Sequence, residues 1–525
     1  MSSYLFGFAI LCLIIFTLLL YQVLIRPYMQ YRYYQQEAKR NPNLLIDMPP
    51  RFVPLFGDLI RLNNALKQSD DQFVLLREAI KNRARFSVGF IGCIPRIAIL
   101  DADVVQDILS AKMFEWTGIS RVSAMIFGLM VPNSLISMEG LSWQQRRKIV
   151  VPTFRYQMMK IYGDAISTIS QELLNHTEQS ENEIDFVKMF KRWTISIIGA
   201  CAFGGAFNNL DEADRKLTDE AIDSLTDMIK FSAEFVTNPV NLIPGMMWFP
   251  TPTRYKFRSA IRRCQDVANE VIRRRLQGQK PAIECERDLL DVLVSYKTEN
   301  GKLLSTEDIR DECLLFIFAG HETTANLLSW LFVVFCQYPD IEEKCRQEVL
   351  EVLQSKDSSF PTEADVKLMP FLHSCLLETL RLYPPAPVLG RECRRPYNLG
   401  GFEVQSGTML RIDIWAIHHS PRYWKNPENF DPNRFLSQDE HGNMIVRHPS
   451  DVHTHAWIPF GHGIRNCPGQ GFALLEARII MAGLLSKFNI EFSPGQRFPE
   501  KVAITSSPKY GVMGRLIPRS PNNNQ

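Results

Sequence analysis

The residue types that could do chemistry gather in three places. One is Cys467, set in "PFGHGIRNCPG" (459–469), a run of glycine, proline and arginine that neither a helix nor a strand interior tolerates. The stretch after it, "GQGFALLEARIIMAGLL", reads as an amphipathic helix beginning near residue 469. The sulfur therefore sits by a helix N-terminus, whose positive end favours a thiolate. A thiolate needs donors around its sulfur, and glycines on either side leave the backbone free to supply them and to let a ligand approach closely. The second place is "AGHETT" (319–324), which sets Gly320, His321, Glu322, Thr323 and Thr324 in the middle of an apolar segment. Unsatisfied polar groups there cost about 1 to 3 kcal/mol each. Gly320, Thr323 and Thr324 fall on one side at i, i+3 and i+4, a combination that can loosen the helix ladder and admit water or a small ligand. The third is "LLETLRLYPP" (376–385), with Glu378 and Arg381 one helical turn apart in apolar surroundings.

These groups need long, buried elements to hold them. The segment 305–339 opens with Ser305 and Asp308 at capping-box spacing and stops at Pro339, which predicts a helix of about thirty residues, roughly 45 Å long. Its middle is apolar nearly all round, so it crosses the centre of a large protein. Helical periodicity also marks 157–176 and 256–278, and the pattern from Ser69 to about residue 440 is mostly helical. Proline-rich 383–404 breaks that rhythm and reads as a small strand region. Three prolines in "DMPPRFVPLFGDL" (47–59) force extended backbone and mark a hinge.

A chain of 525 residues with 46% hydrophobic and 22% charged residues can build a large core. Fifty-nine basic against fifty-seven acidic residues create no field of one sign, so no nucleic-acid partner is expected. Eleven cysteines, scattered singly with no CxxC pair, exclude a disulfide framework and a zinc knuckle and read mostly as buried thiols. His321 points about 100° away from Glu322 and reads as structural. His418, His419, His453, His455 and His462 have no metal-binding spacing, although His462, inside the cysteine loop, stands as an alternative iron ligand. From Leu5 to Ile25 the chain carries no charge and is long enough to span a bilayer core of about 30 Å. Arg26, Arg32, Lys39 and Arg40 follow it, which puts the remainder in the cytosol by the positive-inside rule. The basic n-region and small-residue cleavage site of a secretory signal are missing.

The cysteine stretch fits F-x-x-G-x-R-x-C-x-G through Phe460, Gly463, Arg465, Cys467 and Gly469, and resembles the haem-binding loop of the cytochrome P450 family. Three more segments match in chain order. "LSWQQRRKIVVPTF" (141–154) resembles the family's C helix, where Trp143 and Arg147 are expected to bind a haem propionate. "AGHETT" resembles its I helix, with Ala319 and Gly320 leaving room for dioxygen and Glu322 and Thr323 as the acid-alcohol pair that delivers protons for oxygen cleavage. Glu378 and Arg381 resemble its E-x-x-R, locking to Arg434 of "NFDPNRF", where Asn433 stands in place of the family's usual acid. Arg391 and Arg465 are the expected further propionate contacts.

The resemblance covers nearly the whole chain, through "SPKYGVMGRLIPR" near the end. It implies a mainly α fold with a small β region: a transmembrane anchor over 1–26, a juxtamembrane linker and hinge over 27–60, one catalytic domain over 61–519 and a disordered tail over 520–525. It also implies non-covalent haem b on the thiolate of Cys467, because the fatty-acid branch that esterifies its haem carries glutamate where Ala319 stands. The reaction implied is insertion of one atom of dioxygen into an apolar substrate. No G-x-G-x-x-G fingerprint is evident, so electrons must come from a separate NADPH-cytochrome P450 reductase, with cytochrome b5 as a further partner. Its dock is expected on the cysteine side, at Arg146 and Lys148. Phe316, Ala319, Ala386 and Val388 form the expected apolar wall for a fatty acid or other long-chain lipid, with a sterol as the alternative. A hydroperoxide isomerase or dehydratase of the same fold and a non-catalytic haem sensor are the rival readings, and the acid-alcohol pair weighs against both. The implied location is the endoplasmic reticulum membrane, single-pass, with the catalytic domain facing the cytosol.

Overall fold

Two N-terminal helices, α1 (Ser2–Leu20) and α2 (Arg26–Arg40), run on from one another through a π-helical turn at Tyr21–Ile25. The computed structural model describes residues 2–519 except 43–44, 111–114, 155, 178–182, 208–211, 239–240, 242–249, 279–287, 298–300, 356–359 and 448–451. The expected tail, 520–525, lies outside the described residues. The first part of this rod is long and apolar enough to cross a membrane, with a mean hydropathy of 2.7 and only 6% of that stretch covered by protein. The second part behaves differently. It turns Pro27, Tyr31 and Tyr34 inward, and the Tyr34 hydroxyl lies 2.7 Å from that of Thr408. The stretch expected as a linker thus begins as a docked helix, and the first described extended residues after it are Ile46–Asp47.

A six-stranded sheet receives that helix. It is built from β1 (Ile46–Asp47), β2 (Phe86–Ile91), β3 (Ile94–Ile99), β4 (Thr117–Ile119), β5 (Val388–Cys393) and β6 (Met409–Asp413), in the order β1-β2-β3-β6-β5-β4. Strands β2 and β3 pair antiparallel around Gly92, from Phe86 opposite Ile99 to Ile91 opposite Ile94. This hairpin lies in a stretch whose overall pattern reads as helical. Strand β5 carries Arg391 opposite Ile119 of β4 and Leu410 of β6. Phe86, Ile97, Trp116 and Leu410 close a smaller core on this sheet.

The larger core is helical. Around it stand α3 (Gly140–Val150), α4 (Tyr156–Thr177), α5 (Phe186–Phe203), α6 (Pro252–Leu276), α7 (Thr306–Gln337), α8 (Pro339–Ser355), α9 (Pro370–Leu382) and α10 (Gln470–Lys487). The expected capping box starts α7: Ser305 accepts from the Asp308 amide at 3.1 Å and Asp308 accepts from the Ser305 amide at 3.2 Å. Trp330, Leu331, Phe332 and Val333 are fully buried, so α7 is wrapped on all sides. Helix α10 is wrapped as well, burying Phe472, Leu475, Ile479, Ile480 and Leu484, rather than presenting the amphipathic face its sequence predicts. A hairpin of β7 (Glu500–Val502) and β8 (Ser506–Pro508) reaches back to the middle of the chain, where the Ser506 amide donates to Pro385 at 2.9 Å.

Candidate active site

The cysteine loop is closed by its own backbone: the Cys467 amide donates to the Phe460 carbonyl at 2.9 Å and the Asn466 amide to Gly463 at 3.1 Å. Gly463 takes φ +73°, and a Cβ there would lie 2.2 Å from the Leu109 carbonyl oxygen, so no larger residue fits. Gly469 leads into α10. The loop is then fastened from α3. Both terminal nitrogens of Arg147 donate to the Asn466 carbonyl at 3.0 Å, and one also reaches the Asn466 side chain at 2.6 Å. Arg465 donates to Met138 O at 2.6 Å, and its guanidinium lies 4.5 Å from the centre of the buried Trp143 ring.

Cys467 is exposed as a residue, yet enough protein lies around its thiol for desolvation to act on it. Burial raises its thiol, while the Gly469 amide and Arg147 pull the other way and lose. The helix end does help the thiolate, as the sequence predicts, but it does not by itself overcome desolvation.

Beside the loop three guanidiniums crowd together. Burial, with Arg391 and Arg147 close by, lowers Arg465 to about 10, and Glu139 only partly compensates. Burial lowers Arg391 and Arg147 too. Arg391 donates to the Gly390 carbonyl at 2.9 Å, while its Nε has no hydrogen-bond partner among the described residues. Glu139 is already engaged by Arg394 and by the Ile119 amide. Such a cluster asks for anions.

Between residues 311 and 335 every position of α7 is buried except Ala319, Gly320 and Thr323, which are half-buried. Positions i, i+1 and i+4 share one side of a helix. The Cβ that Gly320 lacks would lie 2.8 Å from Ile198 of α5, so this glycine serves close helix packing, while Ala319 and Thr323 stay half-buried beside it. Thr323 donates to the Ala319 carbonyl at 2.8 Å. Glu322 faces elsewhere: Lys191 of α5 lies 2.9 Å from one oxygen, while Asn326 and Thr505 both donate to the other at 3.3 Å. Burial alone would raise this carboxyl, but Lys191, His321 and Asn326 outweigh it and hold it below the usual carboxylate range. The structure does not join Glu322 and Thr323 by a hydrogen bond. His321 is fully buried with Nδ1 3.1 Å from the Ile317 carbonyl, a structural role. His462 turns its ring to His455, 4.4 Å between centroids.

Glu378 and Arg381 have no exposed side-chain surface and meet in a fork at 2.8 Å on both oxygens. Arg434 adds a third contact at 3.2 Å and the Asp431 amide a fourth at 3.0 Å. Arg381 also donates to the carbonyls of His418 and Pro427 at 2.8 Å. Asn433 donates to Asp431 at 2.9 Å, steadying the turn that presents Arg434.

Of the expected apolar wall, Ala319, Ala386 and Val388 are half-buried, whereas Phe316 packs under Phe154 with centroids 5.5 Å apart. Lys191, Asn466 and Thr505 hold the site residues in place and escape the sequence reading, because each is an unremarkable polar residue whose partner lies over a hundred positions away. The expected docking pair needs a correction. Arg146 is 5% exposed and inserted between Asp308 and Glu312 at 3.2 Å from each, so only Lys148 is exposed for a partner.

A mostly helical body, a backbone-closed cysteine loop and a buried helix with one accessible strip define a haem-thiolate enzyme. The family model described as Cytochrome P450 matches residues 48–511. Cytochrome P450 4A14 of Rattus norvegicus is 31% identical over 438 residues, 80% of this chain and 81% of its own. Leukotriene-B4 omega-hydroxylase 3 of Mus musculus is 28% identical over 76% of each chain, and taurochenodeoxycholic 6 alpha-hydroxylase of Sus scrofa 29% identical over 74% of this chain and 76% of its own. The chain belongs to the cytochrome P450 family, monooxygenases that use haem b with a cysteine thiolate as axial ligand and generally act on apolar substrates with a reductase partner. The residues present fit that group: Cys467 is an exposed residue on its loop, and the crowded guanidiniums, with Arg391 Nε unpartnered among the described residues, match the two propionates of a haem.

Proposed function

We propose that this chain hydroxylates a long-chain lipid of the fatty-acid class from the cytosolic face of the endoplasmic reticulum, anchored by residues 1–26 and acting through a catalytic domain over 61–519. Cys467 would hold haem, with Phe460, Gly463, Arg465 and Gly469 shaping the loop and Trp143, Arg147 and Arg391 facing the propionates. Haem supplies dioxygen binding and cleavage when bound. The observation that carries the reading is the strip of Ala319, Gly320 and Thr323, which alone interrupts the buried run of α7. It offers one hydroxyl in an apolar setting, as proton delivery beside an apolar substrate requires. Thr323 passes a proton through an ordered water when its bond to Ala319 opens, and Glu322 is the acid once Lys191 releases it. Ala319, Ala386 and Val388 form the substrate wall, with Phe316 packed behind it against Phe154.

The relative named for omega-hydroxylation of leukotriene B4, a long-chain fatty acid derivative, supports the lipid class. The relative named for a bile-acid 6 alpha position supports a sterol as the second reading. Purified chain, NADPH-cytochrome P450 reductase and NADPH, with and without cytochrome b5, are to be given fatty acids and sterols side by side. Hydroxylated fatty acid is expected; turnover of sterols alone overturns the proposal. Cys467→Ser should abolish the red-shifted Soret band of the ferrous carbonyl complex, and a retained band refutes Cys467 as ligand. Haem should leave the protein on acid and organic extraction, since Ala319 has no carboxyl to esterify it.

A further inference from the structure

A cavity of about 380 Å³ lies between Leu45, the end of the short helix Val74–Lys81, Leu100 and the turn at 420–422. Among the described residues, none that lines it belongs to the active site. Its volume falls in the range of about 300 to 1,000 Å³ that small-molecule sites occupy. Ala84, Leu100 and Ser420 are buried while Leu45, Arg83 and Pro421 are exposed, so the cavity has a closed floor and an open rim.

The charge on it is one-sided. Arg422, in the lining, shares the buried Asp101 carboxylate with Arg85, which reaches it at 2.5 Å, and the Tyr423 hydroxyl adds a third contact at 2.9 Å. The guanidinium of Arg83 meets no carboxylate among the described residues. Arg83 also holds left-handed backbone, φ 56°, just past a helix end, where glycine is the usual residue. Glycine would make the same cap with less strain, so the arginine is there for its charge. That cap occupies the last helix carbonyls: the amides of Asn82, Arg83 and Ala84 donate to Glu78, Ile80 and Ala79 at 3.0, 2.9 and 3.0 Å. The helix end therefore turns few bare carbonyls toward an anion. Leu45, across the rim, is left-handed as well, and its carbonyl accepts the Arg85 amide at 2.9 Å.

Two guanidiniums over an apolar floor suit an anion with an apolar body. None of the described lining residues is aromatic, so a nucleobase would find no stacking platform. With α1 in a bilayer, the 15 residues of α2 set Leu45 about 22 Å beyond the anchor, past a headgroup layer only about 5 to 8 Å deep. The ligand therefore comes from solution.

We propose that this cavity is a second small-molecule site, binding a free carboxylate with a medium-length apolar tail. The head lies between Arg83 and Arg422 and the tail over Ile80, Ala84 and Leu100. The site does not rest on the reading of the reaction given above.

The test uses full-length holoenzyme in nanodiscs of zwitterionic lipid, with an azole on the haem iron to fill the active site. A diazirine-bearing decanoate should label peptides that contain Ile80–Ala84 or Ser420–Arg422, saturably and once per chain. Labelling confined to other peptides overturns the proposal. Arg83→Gly and Arg83→Gln should weaken labelling about tenfold or more with the thermal midpoint unchanged or raised, while Arg83→Lys stays within about threefold of wild type. Labelling of Arg83→Gly equal to wild type would reduce Arg83 to a helix cap and refute the site. Decanol should compete at least about tenfold more weakly than decanoate, and equal competition overturns the carboxylate assignment. Soluble glycerophosphoserine should leave the label in place; displacement would assign the cavity to a lipid headgroup and overturn the source proposed.

Discussion

Lys191 and Glu322 form a buried ion pair of 2.9 Å between α5 and α7, and that pair decides which way the acid of the expected acid-alcohol couple points. The next residue, Thr323, looks to the accessible strip instead. Neighbours in sequence are thus about 100° apart around the helix and answer to different partners. Thr194 of α5 reinforces the join by donating to the His321 carbonyl at 3.0 Å. The proton-handling part of α7 is therefore set by α5 as much as by its own sequence.

Lys191→Met is expected to leave Glu322 as an uncompensated buried charge and to cost about 3 to 5 kcal/mol at neutral pH. Because Lys191 and its neighbours depress the Glu322 carboxyl, the wild-type pair stabilises above the ordinary carboxylate range and loses that contribution as pH falls through the depressed value. In the variant burial dominates and the direction reverses, so stability should improve as pH falls toward 5. Denaturant unfolding at several pH values checks this.

Arg381→Lys removes the planar fork that meets both oxygens of Glu378 and the carbonyls of His418 and Pro427. A lysine cannot fill those directions, and a destabilisation of about 3 to 5 kcal/mol is expected. The holoprotein yield, read from the ferrous carbonyl spectrum, should fall nearly to zero. A yield like wild type would mean the fork is dispensable.

Much of this was legible in the chain, and the boundary has a physical cause. The loop around Cys467, the capped helix from Ser305 and the pair Glu378 and Arg381 declare themselves because their spacing is local and their chemistry dense. Arg434 reaches Glu378 across fifty-six positions, and its own segment points to it. Strands β2 and β3 were hidden inside a stretch read as helical, because a short apolar hairpin has too few residues to establish its own period. Tyr31 and Tyr34 lie in the stretch expected as a juxtamembrane linker, and only the sheet that buries them gives them a partner. Arg146 looks like any basic residue on a charged helix until Asp308 and Glu312 arrive from α7.

Glu312 gives a second pH signature, of opposite sign. Its carboxyl is raised to about 7 by burial, which outweighs Arg146 and the Leu135 amide. A carboxyl raised in the folded state contributes stability that is complete below its unfolded value and is lost as pH climbs through the folded one. A shift of this size corresponds to about 3 kcal/mol between pH 4.5 and 7. Glu312→Gln keeps the acceptor for Leu135 and should flatten the stability curve across that window, measured by thermal unfolding in matched buffers.

The correction at Arg146 turns one docking expectation into two separable outcomes. Lys148 is exposed on the same helix that grips the cysteine loop, so its charge can act on an incoming acidic partner without touching the fold. Lys148→Glu should slow reduction by the reductase several-fold at low ionic strength, with the deficit shrinking as salt screens the charge over about 10 Å at 0.1 M. Thermal stability should stay within about 0.5 kcal/mol of wild type, as for a surface substitution. Arg146→Glu should do the reverse. Facing Asp308 and Glu312 with a third carboxylate, it loses the folded protein before any docking can be measured. Stopped-flow reduction of Lys148→Glu that matches wild type at every ionic strength would move the dock away from this helix.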